Sequence, residues 1–184
     1  MTKTLHKPHP ANTYWVHEHL LAGDYPGDKP HLVIHRRRPH TPFIEDLLAL
    51  GVNYFIDLTE KCEQVTPSPE IPYVVPYQDR LAGQAEYHRF PIRDVDIPNA
   101  QTTRVILNAI DAAIAAGKIV YVHCQGGVGR TGTIVGCHLV RKEKISGDQA
   151  LKRLGQLWST CEKSKWRAAP ESFEQIEWIR LWQE

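Results

Sequence analysis

Apolar positions along this chain fall into two rhythms, short β-branched runs and longer stretches at helical spacing. Trp15-Val16-His17 and His19-Leu20-Leu21-Ala22 read as two short strands around a turn, and the glycines and prolines of residues 23–28 as the loop beyond them. Val52 to Leu58, Tyr87 to Ile92 and Ile119 to Val122 read as further strands. Helical patterns stand between them. After Thr41-Pro42, an N-cap followed by a first-turn proline, Phe43, Ile44, Leu47, Leu48 and Leu50 recur until Gly51. Thr102 to Ala116 places Val105, Ile106, Ala109, Ile110 and Ala113 on one side, and Gly117 closes it. Thr131 to Lys142 predicts another helix. Ser146 and Gln149 have capping-box spacing before Leu151, Leu154, Leu157 and Trp158. A last helix starts near Ser172, with Phe173, Ile176, Ile179 and Trp182 as its core stripe. Residues 60–87 carry four prolines and read as loop, with room for one short helix. Strands alternating with helices predict an α/β layered domain around a central sheet.

At 184 residues the chain is long enough for one domain with a real core. We expect residues 1–13, polar and rich in histidine and proline, to be a disordered lead-in, and residues 14–184 to form a single domain. A net charge of +1 gives no reason to expect a nucleic-acid partner. No stretch has the length needed to span a bilayer, and no apolar h-region opens the chain, so neither a membrane partner nor a signal peptide is expected. Cys62, Cys124, Cys137 and Cys161 lack C-x-x-C spacing, which points away from a metal or redox motif and toward a reducing, cytoplasmic setting.

The densest chemistry lies in His123-Cys124-Gln125-Gly126-Gly127-Val128-Gly129-Arg130-Thr131-Gly132, directly after the Ile119–Val122 run. A thiol at a strand end, a glycine-rich turn and a helix N-terminus bring backbone N–H groups together on an anion. The same field should favour the thiolate of Cys124. Arg130 offers a planar fork that matches two phosphate oxygens. Other readings of the loop fit less well. Residues 127–132 satisfy G-x-G-x-x-G, but a dinucleotide site wants an acidic residue about 20 residues on, at the end of a second strand, and Ser146 to Trp158 reads as helix. A nucleotide P-loop needs Lys-Ser or Lys-Thr after the last glycine, and there is no lysine here. A buried, inert cysteine would leave the charge on Arg130 unexplained.

His-Cys-x5-Arg-Thr-Gly resembles the signature of the cysteine-dependent protein tyrosine phosphatases, and among them the dual-specificity-like members. The resemblance runs from about Trp15 to the C-terminus and is strongest from Phe90 to Val140. It implies an α/β fold with a central mixed sheet of four to five strands flanked by helices. It also implies a hydrolase that removes phosphate from phosphotyrosine, and from phosphoserine or phosphothreonine, through a cysteinyl-phosphate, with no metal and no cofactor. Phe90-Pro91-Ile92-Arg93-Asp94 resembles the acid loop of the family, which makes Asp94 the general acid, with Asp96 as its competitor. Cys124 is then the nucleophile. Arg130 and the N–H groups of Gln125, Gly126, Gly127, Val128, Gly129 and Arg130 are the phosphate cradle. The Thr131 hydroxyl is expected to donate to the sulfur, and His123 to orient the loop.

Gln175 has two readings: it resembles a family glutamine near the attacking water, and with Ser172 it has capping-box spacing, which we favour. His17-Glu18-His19 is an alternating pair with no trusted metal pattern. Arg36-Arg37-Arg38 reads as a solvated turn before it reads as a substrate clamp. Cys137 reads as core, and either Cys62 or Cys137 is a candidate resolving thiol for Cys124. No lysine lies between Cys124 and Arg130, which argues against an inositol phosphate, and no long insertion builds a deep phosphotyrosine slot. The expected partner is therefore a phosphorylated protein or a small phosphomonoester, met by a monomer. A phosphate-reading module without turnover is the non-enzymatic alternative.

Overall fold

The computed structural model describes residues 9–30, 43–61, 63 and 74–184. Among these residues five strands form one sheet in the order β1-β2-β5-β3-β4, with β1 Thr13–His17, β2 Leu20–Gly23, β3 Tyr54–Asp57, β4 Glu86–Arg89 and β5 Val120–His123. β1 pairs antiparallel with β2, and every other pairing is parallel. The mixed sheet expected from the resemblance is therefore present. Parallel neighbours need long crossovers: α1 Ile44–Ala49 lies between β2 and β3 and α2 Ala100–Ala115 between β4 and β5, while α3 Gly129–Glu143, α4 Gly147–Trp158 and α5 Phe173–Leu181 follow β5. A 3-10 turn spans Gln78–Leu81 and another Glu162–Lys165.

Side chains alternate across the sheet. Val120, Val122, Tyr54 and Ile56 enter the larger core, packed under α2, α3, α4 and α5, while Tyr121 and Phe55 enter the smaller one beneath α1, Tyr77 and Leu81. β5 is central and buried throughout. The chain leaves its carboxyl end into the cysteine loop, so the most protected strand carries the most demanding geometry.

Several elements differ in detail from their expected form. α2 begins at Ala100 because the Asn99 side chain accepts from Thr102 N–H and caps it. Val105 is 41% exposed, and Thr103 is buried in its stead, its hydroxyl satisfied by Asn99 O at 2.9 Å. Phe173 is 70% exposed at the first position of α5, while Gln175 faces inward. β4 ends at Arg89. Phe90 N–H and Ile92 N–H still bond to Asp57 O and Leu58 O, at 2.9 and 3.1 Å, before the chain turns away. The capping box at Ser146 and Gln149 forms as expected. Residues 1–8 and the Thr41-Pro42 helix start lie outside the described residues, and Thr13 already belongs to β1.

Candidate active site

The loop after β5 wraps from Cys124 to Val128 and enters α3 at Gly129. Gly127 sits at φ +69°, and a Cβ there would lie 2.4 Å from the carbonyl carbon of Gly23. Only glycine meets both demands. Tyr25 N–H donates to Gln125 O at 3.4 Å, a second tie between the loop and the end of β2. Cys124 is 3% exposed and Arg130 2%.

Arg130 is held by three groups. Glu63, itself buried, takes both guanidinium ends, with Nη2 donating to Oε2 at 3.2 Å. Nη1 also donates to Ile92 O at 2.9 Å. Asp94 Oδ1 lies 2.7 Å from Nη2, at the open side. Burial opposes the charge on Arg130, yet Cys124 and then Glu63 hold its pKa above the ordinary value. Asp94 thus stands beside the cradle. Asp96 is occupied with its own loop: its carboxylate accepts from Ile97 N–H at 2.8 Å, and its backbone carbonyl accepts from Gln175 Nε2 at 3.3 Å. Val95 between them adopts φ +63°, the turn that sends the two carboxylates different ways.

His123 lies beneath the loop, ringed by Tyr25, Tyr77 and Tyr121 at centroid distances of 5.3, 5.5 and 5.4 Å. Its Nδ1 faces Cys124 O at 3.2 Å and carries the proton, so Nε2 accepts from the Tyr77 hydroxyl at 2.6 Å. Burial lowers its pKa, and nearby Asp57 only partly opposes this. Burial would raise Asp57, but His123, Thr59, Tyr87 and Arg89 keep it below the usual carboxylate value. His123 thus stands beneath the first carbonyl of the loop, with burial working against a charge on its ring.

A charged cluster that the sequence did not reveal lies behind the loop. Asp24, in the β2 exit, is buried, and Lys29 and Lys163 converge on its carboxylate, Lys163 Nζ at 2.8 Å from Oδ2. Lys163 Nζ also donates to Gly126 O at 3.0 Å. Burial pushes Asp24 up, but the two ammonium groups bring it well below its ordinary value. Burial pushes Lys29 down against the pull of Asp24. Lys29 reads in sequence as an ordinary loop charge; Glu63 likewise carries no local signal.

Other expected residues fall as follows. The Thr131 hydroxyl is buried without a hydrogen-bond partner, so the expected bond to the cysteine sulfur is not made in this structure. Gln175 completes the capping box with Ser172, and its amide sits close against Gly129. Cys137 is core, and burial pushes its thiol up, which makes it a poor resolving nucleophile. Cys161 is pushed up to about 12 by burial and donates to Thr13 O. His17 meets His138, Nε2 to Nε2 at 3.2 Å, while His19 faces Glu18. Among the described residues no group of three or more His, Cys, Asp or Glu could hold a metal, and no helix is long and apolar enough to cross a membrane. Arg36 to Arg38 and Cys62 lie outside the described residues. Residues 147–158 are helix, so the second strand a dinucleotide site needs is missing there. A cavity of about 720 Å³ between Arg141, Ser146 and Trp182 touches none of the residues of the cysteine loop.

A cysteine at the end of the central parallel strand, a glycine turn and a buried arginine opening the next helix stand here in a fold of the cysteine-based protein-tyrosine and dual-specificity phosphatase superfamily. Residues 34–144, more than half of the chain, match the family described as "Polymorphic toxin system, DSP-PTPase phosphatase", and the chain belongs to that family. It is similar to protein tyrosine phosphatase domain-containing protein 1 of Danio rerio, 28% identical over 143 residues, covering 74% of this chain and 19% of the relative. It is also similar to the phosphatidylglycerophosphate phosphatase PTPMT2 of Arabidopsis thaliana, 31% identical over 109 residues, covering 57% and 44%. The chain thus spans less than half the length of either relative. The solved structure of Tk-PTP in the active form shares the fold with a TM-score of 0.64 at 21% identity, over 91% of this chain and 93% of that one.

Proposed function

We propose that this protein hydrolyses phosphomonoesters of protein side chains, phosphotyrosine foremost and phosphoserine or phosphothreonine beside it. Cys124 Sγ attacks phosphorus in line. The phosphorus–oxygen ester bond breaks, and the departing oxygen takes a proton from Asp94, leaving a cysteinyl-phosphate. Water then attacks phosphorus and gives a proton to Asp94, and the sulfur leaves with its electron pair. Arg130 and the loop amides hold the equatorial oxygens through both steps. This positive field does the work that a metal does elsewhere, so turnover should persist in chelator.

The observation that carries this reading is the position of Asp94, 2.7 Å from a buried arginine in the first turn of the helix that the cysteine loop enters. Hydrolysis of an aryl phosphate in chelator, abolished in Cys124→Ser, is the expected result. Tight phosphopeptide binding without phosphate release would instead mark a non-catalytic module. The similarity to a phosphatidylglycerophosphate phosphatase favours a second reading, a small or lipid phosphomonoester. A panel of phosphopeptides, inositol phosphates, nucleotides and glycerophosphates separates the two: preference for phosphopeptides supports the first, and hundredfold preference for any other class replaces it.

A further inference from the structure

The geometry points to Lys163 as a positioning residue that turns one amide of the cysteine loop toward phosphate, braced through Asp24 by Lys29. The inference rests on the reading that this loop binds phosphate, and it adds a residue outside the signature to the machinery.

A cradle of backbone amides works only if each peptide plane faces the right way. In a trans peptide the carbonyl and the following N–H point in opposite directions. Lys163 Nζ holds Gly126 O at 3.0 Å from outside the loop, so the next N–H, that of Gly127, points away from Lys163 and toward the cradle. Gly127 has a left-handed backbone, and glycine resists peptide flips less than any other residue. The peptide before it is therefore the one most in need of an external hold.

The ammonium is itself fixed. Asp24 Oδ2 accepts from it at 2.8 Å, and the other carboxylate oxygen takes Lys29 and Tyr25 N–H. The turn carrying Lys163 is tied down in turn: Asn12 Oδ1 accepts from Lys163 N–H at 3.2 Å, and Asn12 O accepts from Asp24 N–H at 3.2 Å. The chain of contacts runs from Asn12 through Asp24 and Lys163 to Gly126. It is buried at Asp24 and Lys29, where a charge–charge hydrogen bond is least weakened by water. Lys165, two residues on in the same turn, is exposed and serves as a control for bulk charge.

The test measures binding of inorganic phosphate and of vanadate by calorimetry, with turnover of an aryl phosphate alongside. Lys163→Met should weaken oxyanion binding and lower kcat/KM by roughly ten- to hundredfold, the loss expected for one charge-assisted hydrogen bond. Lys163→Arg should recover most of it, and Lys165→Met should cost no more than about twofold, as a screened surface charge does. Should Lys163→Met fold poorly, the wild-type protein gives the answer: the Gly127 amide resonance should move on saturation with phosphate. Equal losses in Lys163→Met and Lys165→Met, oxyanion affinity in Lys163→Met within twofold of wild type, or a Gly127 amide that ignores phosphate would each overturn the inference. Absence of turnover in the wild type would overturn the proposed function, and oxyanion binding would still read the role of Lys163.

Discussion

The loop after β5 and the loop after β4 both leave the carboxyl edge of the sheet, yet one is buried and tied on every side while the other lies open. Cys124, Val128 and Arg130 are each 3% exposed or less, with His123 beneath, Gly23 and Tyr25 alongside and Lys163 behind. The Asp94 side chain is 41% exposed, and its loop is anchored by Arg130 and by the Gln175 contact to Asp96 O. The difference follows the chemistry. On the proposed function, a cradle for charge gains from being fixed before the substrate arrives, whereas a proton donor must meet leaving groups of different size.

The comparison can be broken most forcefully at Gly127. Gly127→Ala should abolish turnover and lower thermal stability, with roughly 1–3 kcal/mol from backbone strain alone and more from the clash with Gly23. An alanine variant within tenfold of wild type would show that the cradle is not fixed. Next in size is the open loop. Asp94→Ala should slow phosphates with poor leaving groups by about 10²–10⁴-fold while its melting temperature stays put. Asp96→Ala should cost only severalfold, and the reverse order would exchange the two roles. Glu63→Gln should come third: losing the carboxylate that grips Arg130 should cost about 1–3 kcal/mol of transition-state binding, read as a lower kcat/KM in the aryl phosphate assay.

The last effect is on pH, and it is read in stability and not in turnover. His123 beneath the cysteine loop and His138 farther along α3 both have lowered pKa values, chiefly from burial, His138 to about 4. The unfolded chain then binds more protons than the folded one between about pH 6.5 and pH 4. Stability should be full above pH 6.5 and fall as pH drops through that window, by up to about 3 kcal/mol for His138 at pH 4. His138→Gln should flatten the slope, and melting curves from pH 7 to pH 4.5 would show it. An unchanged slope would mean that the ring takes up its proton as readily in the fold as in the unfolded chain.

Much of this was legible from the residues in order. The strand–turn–helix around Cys124 is local chemistry, and its glycines, its arginine and the β-branched run before it announce themselves. Asp94 was legible through the Phe-Pro-Ile that precedes it. What stayed hidden comes from partners distant in sequence. Glu63 meets Arg130 across 67 residues, and Lys163 meets Asp24 across 139. Nothing in the neighbours of Lys29 or Glu63 separates a buried charge from a solvated one. Helix faces misled for a related reason: Thr103 displaces Val105 and Gln175 displaces Phe173 because each polar group finds a partner inside that hydrophobicity alone does not foresee.

The position of β5 has a practical corollary. A fragment cut to residues 34–144 would retain Cys124, Arg130 and Asp94, yet it would lack β1, β2, Asp24, Lys163 and Gln175. Its central strand would become a raw sheet edge, inviting other chains to pair there. Anyone trimming this protein to its recognisable stretch should therefore expect insoluble aggregates rather than a minimal enzyme.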